Sequence, residues 1–259
     1  MSAGESAPRH GVTEINPVAK LVAALVIAFT LALTVDAVSA GVALALELAL
    51  LPFAGLDWSA FWRRTAPVWI AAPLAGVTIA LYGRASGHVH FAWLFVQITD
   101  GSLYLASVTV LRVLAIALPA VALFATVDPT DFADGLAQVL HLPARFVLGG
   151  LAALRLVALL RDDWRSLQLA RRARGVADRG RLRRFAGLAF SLFVLSIRRG
   201  SELATAMEAR GFGGSAARTW ARPSRFGLRD VLLIGLSAVI AAAAVVAAVV
   251  TRQWAFIGG

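Results

Sequence analysis

Residues 230–250 read DVLLIGLSAVIAAAAVVAAVV, twenty uncharged residues behind a single aspartate. As a helix rising ~1.5 Å per residue, such a run covers the ~30 Å hydrocarbon core of a bilayer. Working back toward the N-terminus, comparable apolar runs occupy residues 102–127, 66–82, 37–56 and 17–35. Hydrophobic residues make up 59% of the 259 and charged residues 15%, against roughly 45–50% and 25% in soluble domains. Mean hydropathy is +0.76. These features predict an all-α polytopic membrane protein with about five transmembrane helices. Cysteine is absent, which excludes disulfide and thiol chemistry. The first 12 residues are polar and lack the charged-then-apolar layout of a cleaved signal.

The charge is concentrated in one place. From Arg161 to Arg229 there are 16 arginines against five acidic residues, a net of +11 in a chain whose total is +10. Basic segments are retained on the cytoplasmic side. Four crossings before this region place the N-terminus, the Arg63/Arg64 loop and the basic insert on that side, and the fifth carries the C-terminus outside. Alternation and charge agree. The expected organisation is a membrane domain over residues 1–127, a helical cytoplasmic insert over 128–229, and a final span with a short tail over 230–259. A bacterial plasma membrane is the expected location.

Several details accompany this reading. Lys20 stands near the end of the first span, where its amine is expected to snorkel to the interface. Residues 57–65 form an expected interfacial loop carrying Trp58, Trp62, Arg63 and Arg64. Residues 83–100 read as a mixed loop, and its apolar middle, Phe91–Ile98, is too short to cross and suits the membrane surface. Arg112 interrupts the fourth span and calls for an acid such as Asp100 or Glu47, or for a contact with a partner. Asp128-Pro129-Thr130-Asp131 is a helix start, with Asp at the N-cap and Pro at the first helical position.

His141-Leu142-Pro143 ends that short helix and a long one is expected from residue 144 to Arg174. Its part over 144–160 is apolar apart from Arg145 and Arg155, and its remainder is charged. Gly149-Gly150 would permit close packing on a neighbouring helix. After a polar connection over 176–180, a second long helix is expected over 181–210, with Gly200 as a candidate break.

The two long helices end on the same word. LQLARRARG (167–175) and ATAMEARGFGG (204–214) both carry Ala-Arg-Gly at the helix end, 36 residues apart. Glycine in the left-handed conformation terminates a helix, and arginine in the last turn complements the negative end of its dipole. That capping chemistry explains one copy. Two copies also suit a docking role, because a small residue beside a guanidinium lets a partner approach and receive a forked bond.

These words, together with Asn16-Pro17-Val18-Ala19-Lys20-Leu21, the block from Thr126 to Phe132, Leu142-Pro143 and Ala153-Leu154-Arg155, resemble the transmembrane coupling (T) component of energy-coupling factor (ECF) transporters. That group is a branch of the ABC importers for vitamins and metal ions such as cobalt. The resemblance implies a non-catalytic subunit with two ABC ATPase partners, separate or fused, and a small membrane-embedded substrate-binding S component. It implies that Arg174 and Arg210 each enter one ATPase, with Ala173, Gly175, Ala209 and Gly211 shaping the plugs and Arg171, Arg172 and Glu208 as flanking contacts. ATP would be bound by the partners, and no cofactor by this chain itself.

Other functional classes fit less well. A P-loop needs a glycine-rich loop ahead of its lysine, and the only lysine, Lys20, follows no glycine run. His88-x-His90 offers two ligands, too few for a metal, and reads as surface histidines. The basic insert could touch anionic lipid as an accessory role, but it has few aromatics for stacking nucleic acid. The alternative to a coupling subunit is a self-sufficient permease with a basic cytoplasmic loop. Such a fold would carry inverted repeats or broken helices, and neither is visible.

Overall fold

The computed structural model describes residues 14–55, 58–83, 86–93, 96–175, 180–214 and 219–254. The polar first 12 residues and most of the 176–180 connection lie outside them. The chain divides into two compact units, residues 1–132 with 224–259, and residues 133–223.

The first unit is built from apolar helices with well-defined starts. Helix α1 (Pro17–Leu33) begins behind Asn16, whose side chain accepts from the Val18 N–H at 2.9 Å. Helix α2 (Ala37–Leu50) begins behind Asp36, which accepts from the Ser39 N–H at 2.6 Å. A 3₁₀ turn (Leu51–Ala54) then leads toward α3 (Trp58–Tyr82). The expected loop from residue 58 to 65 is therefore helical. Trp62 stacks on Trp69 and Trp58 on Phe61 along one flank, which holds these bulky rings in helical register. Pro67 and Pro73 lie inside α3, as membrane helices tolerate.

The expected mixed loop contains a hairpin, β1 (Val89–Trp93) against β2 (Val96–Thr99), antiparallel with an irregularity between Val89 and Phe91. β2 feeds directly into α4 (Asp100–Phe124) through a reciprocal cap. The Ser102 N–H donates to the Thr99 hydroxyl oxygen at 3.2 Å and the Thr99 N–H to that of Ser102 at 3.0 Å. Helix α8 (Leu228–Val250) closes the unit.

Of these helices, α3, α4 and α8 are long and apolar enough to cross a membrane. With 17 and 14 residues, α1 and α2 measure about 25 and 21 Å, shorter than the sequence-expected spans. All five pack together, α3 along α4 and the α1–α2 pair against α4 and α8. Their contacts use small residues: Ala72, Ala115 and Ala244 are fully buried. At Gly76 a Cβ would come within 2.5 Å of a Val110 methyl, so glycine sets the α3–α4 spacing. Outward-facing Ile70, Leu74, Val239 and Val246 are exposed, an apolar belt suited to lipid. The chain is a membrane protein.

Several polar groups inside this unit go to specific partners. Arg112 does not meet Asp100 or Glu47; it donates to the carbonyls of Leu31 and Ala32 at 2.6 and 2.7 Å. Those carbonyls end α1 and carry the negative end of its dipole. Lys20 does not snorkel. It is 1% exposed and donates to the Thr126 hydroxyl at 2.8 Å, within electrostatic reach of Asp230. Asp230 in turn accepts from the Asn16 and Gly227 N–H groups, each at 2.6 Å.

The second unit contains two long helices, α6 (Ala144–Ala173) and α7 (Arg181–Ala209). The short α5 (Pro129–Gln138), started by Asp128 accepting from the Thr130 N–H at 2.7 Å, precedes them. His141 adopts a positive φ of 54° at the break before α6. Gly200 does not break α7, which runs through it. Among the described residues, nothing lies within 4 Å of where a Cβ would sit on Gly149 or Gly150.

Asp230 has two backbone donors of its own, whereas Lys20 depends on Asp230 for its countercharge. Asp230→Ala should therefore destabilise the protein by about 3–5 kcal/mol, because it strands a buried ammonium. Lys20→Met should cost less. Thermal unfolding of both variants in mild detergent gives the order, and a larger loss for Lys20→Met would contradict it.

Candidate helix-end docking site

Both Ala-Arg-Gly words fall at helix ends, as capping chemistry requires. Ala173 closes α6 and Arg174 is its C-cap, with Gly175 at φ 66°. Ala209 closes α7, Arg210 is its C-cap, and Gly211 has φ 77°. At the second end the Phe212 N–H reaches the Met207 carbonyl and the Gly211 N–H that of Glu208, both at 2.9 Å. This is a Schellman closure. At the first end the Gly175 N–H donates to the Arg172 carbonyl at 3.0 Å, the equivalent inner bond.

All six motif residues are exposed. Among the described residues, nothing lies within 4 Å of where a Cβ would sit on Gly175 or Gly211. The glycines are thus needed for their left-handed backbone, and the space around them is open. Among the flanking residues, Arg172 and Glu208 are exposed and Arg171 is half-buried. The Arg171 guanidinium lies over Gly187 of α7, 3.0 Å from a Cβ position there, so it is committed within the chain.

The structure does not gather the two words into one pocket. The second half of α6 lies against the start of α7: Trp164 meets Phe185 edge-on at 5.8 Å, and Arg171, in the last turn of α6, lies over Gly187. The end of α7 shares an apolar groove of about 700 Å³ with the first half of α6. Leu151, Leu156, Leu203, Met207 and Phe212 line it, together with Arg155 and Arg210. The helices therefore run in opposing directions and present their two arginines at opposite ends.

One connection between them lies beyond the sequence reading. Arg199 grips Asp163 with both terminal nitrogens, at 2.5 and 3.1 Å. Like the motif arginines, these residues are 36 apart. Each motif arginine thus follows its bridge residue by 11 positions, about 16 Å of helix. The bridge divides the pair into two arms of equal length. An acid and a base at the motif spacing is the available signal, hidden among the other charges of the insert.

The two histidines belong to the other unit. His90 Nε2 pairs with Asp100 Oδ1 at 2.6 Å, the His88 N–H donates to Asp100 Oδ2 at 3.1 Å, and both imidazoles are exposed. Among the described residues no group of three or more His, Cys, Asp or Glu could hold a metal ion.

Two outcomes test this geometry. Gly211→Ala meets no clash, so its cost is the left-handed backbone alone, about 1–2 kcal/mol. Exchange of the Phe212 amide hydrogen should accelerate about five- to thirtyfold while the middle of α7 keeps its protection. The cysteine-free chain can also be spin-labelled at Leu169 and Thr205. Asp163→Arg should broaden the measured distance distribution, and adding Arg199→Asp should narrow it again. Failure of the charge exchange to restore the distribution would remove the bridge's role.

Comparison with known proteins agrees with this architecture. Residues 9–220 match the family described as cobalt transport protein, a range that includes both Ala-Arg-Gly words. Several relatives carry the name energy-coupling factor transporter transmembrane protein EcfT. The one from Limosilactobacillus fermentum is 29% identical over 197 residues, 68% of this chain and 72% of the relative. That of Bacillus selenitireducens is 32% identical over 175 residues, covering 63% and 65%. That of Streptococcus equi is 28% identical over 239 residues, covering 87% and 88%. The chain belongs to the cobalt transport protein family, as a transmembrane component of the energy-coupling factor transporter type.

Proposed function

We propose that the protein is the coupling subunit of an ECF-type ABC importer, itself non-catalytic, which transmits the motion of two ATPase subunits to a substrate-binding S component. Its α6 and α7 lie on the cytoplasmic side, its N-terminus with them and its C-terminus outside. Arg174 and Arg210 each dock into one ATPase of a pair, or of a fused pair, and ATP is bound there. The transported substrate is a vitamin or a metal ion.

One observation carries this reading. Two identical, exposed and sterically open helix ends stand at opposite ends of one helix pair. A guanidinium projecting from such an end can make a forked bond to a carboxylate or carbonyl pair in a partner groove. Two equal sockets would match two equal ATPases. Relative motion of the ATPases would then be read as force on the two arms about the Asp163–Arg199 bridge. The exposed apolar residues Phe146, Leu154, Phe190 and Phe193 suit contact with the S component or with lipid.

Arg174→Ala and Arg210→Ala test the proposal in membrane vesicles containing the complete transporter. Each change removes a charge-assisted bond of about 1.5–3 kcal/mol, so each should lower ATP-driven uptake about tenfold or more. The double variant should lose co-purification of the ATPases while still inserting in the membrane. Uptake and co-purification unaffected in the double variant would reject docking through these residues.

A further inference from the structure

The membrane unit contains a cavity of about 220 Å³ between α1, α2, α4 and α8. Its wall is hydrocarbon from residues such as Ile27, Leu44, Leu118 and Ile240, with two polar exceptions, Glu47 and Ser237. The Ser237 hydroxyl donates to the Ile234 carbonyl of its own helix at 2.7 Å, so its proton is committed. Glu47 is 8% exposed, and among the described residues neither of its carboxyl oxygens receives a hydrogen bond. Lys20, the buried ammonium of this unit, donates to Thr126 instead.

A buried carboxyl group without a donor is costly, and a leucine would complete the same wall at no such cost. Ordered water is a poor remedy, because each molecule needs two to four polar partners and this wall supplies little beyond one carboxyl group. The volume far exceeds the ~10–15 Å³ a single water needs and lies just below the ~300 Å³ at which small-ligand pockets begin. Leu48 and Leu236 line the cavity and are 40% and 41% exposed. The mouth is therefore apolar and on the outer surface of the helix bundle, so entry favours a molecule that partitions into hydrocarbon.

We propose that this cavity binds a small amphiphilic amine, its ammonium N–H groups donating to both oxygens of Glu47 and its apolar body filling the leucine-lined volume. An ammonium supplies charge and several donors at one point, enough to reach both oxygens of the orphaned carboxyl group. An alcohol brings one donor and no charge, and a carboxylate brings neither a donor nor a countercharge. The site is separate from the helix-end words and does not depend on the coupling role.

The test uses the purified full-length protein in phosphatidylcholine nanodiscs, whose headgroups carry no ammonium N–H. Binding of hexylamine, 1-hexanol and hexanoate is measured by calorimetry. Saturable hexylamine binding is expected, about tenfold or more tighter than hexanol, with hexanoate not binding. Glu47→Gln should weaken hexylamine about tenfold or more and Glu47→Asp should retain most of the affinity. Equal affinity for amine and alcohol, or undiminished amine binding to Glu47→Gln, overturns the proposal.

Should Glu47→Gln fail to fold, a diazirine-bearing alkylamine on the unaltered protein decides the matter. It should label peptides containing Leu48 or Leu236 and be displaced by hexylamine. Labelling elsewhere, or equal displacement by hexanol, overturns the site. Repeating the calorimetry in phosphatidylethanolamine discs separates the sources of the ammonium. Competition identifies the lipid headgroup and unchanged affinity a free amine, and both uphold the assignment.

Discussion

The buried ammonium of Lys20 is the constraint on which the membrane unit depends. It draws Thr126 at the end of α4 and Asp230 at the start of α8 to the first turns of α1. Asn16, one turn earlier, adds bonds to the Ser224 hydroxyl at 2.9 Å and the Arg225 carbonyl at 3.0 Å. The chain leaves this unit after Phe132 and returns at Ser224, so this cluster anchors the backbone close to where it departs and where it comes back. Charge in a low-dielectric setting tolerates few arrangements. The same cost that makes Lys20 expensive therefore makes the geometry of this junction specific.

A comparable economy governs the other end of α1. Its final carbonyls, which no residue of the helix can satisfy, receive Arg112 from the middle of α4. Lys20 and Arg112 thus tie α1 to α4 at opposite ends, one through a hydroxyl and the other through backbone carbonyls. Between them the buried residues are apolar, Ala23, Ala24 and Ile27 on α1 and Leu114, Ala115 and Leu118 on α4, and such packing gives close approach but little direction. The polar ties supply the register that the apolar surfaces leave open.

The helical insert uses a different logic. Many of its charged side chains are exposed, and the bidentate Asp163–Arg199 bridge joins α6 to α7. The ends of the two helices are closed by bonds to their own backbone, so each guanidinium can be presented outward without fraying the helix beneath it. A left-handed glycine at each end is what makes that closure inexpensive. The unclosed groove beside Arg210 and the exposed phenylalanines of α7 leave apolar surface on this unit.

Much of this is legible in the sequence because it rests on local rules. Apolar run length marks the spans, Asp128-Pro129 marks the start of α5, and the two Ala-Arg-Gly words mark the ends of α6 and α7 to within one residue. Capping and helical periodicity are decided by neighbours in the chain, so one-dimensional reading suffices. It fails where a residue's partner lies far along the chain. Read alone, Lys20 suits a snorkelling lysine, Arg112 half of an ion pair, and residues 58–65 a loop, because burial and aromatic stacking are settled by other parts of the fold. What the sequence by itself determined is therefore the helical membrane class, the helix ends and the paired words. Only the tertiary structure decided that the two words face opposite ends of one helix pair, that Asp163 meets Arg199, and that Glu47 is left without a donor. Each of these depends on which surfaces the packing brings together, and no local propensity encodes that choice.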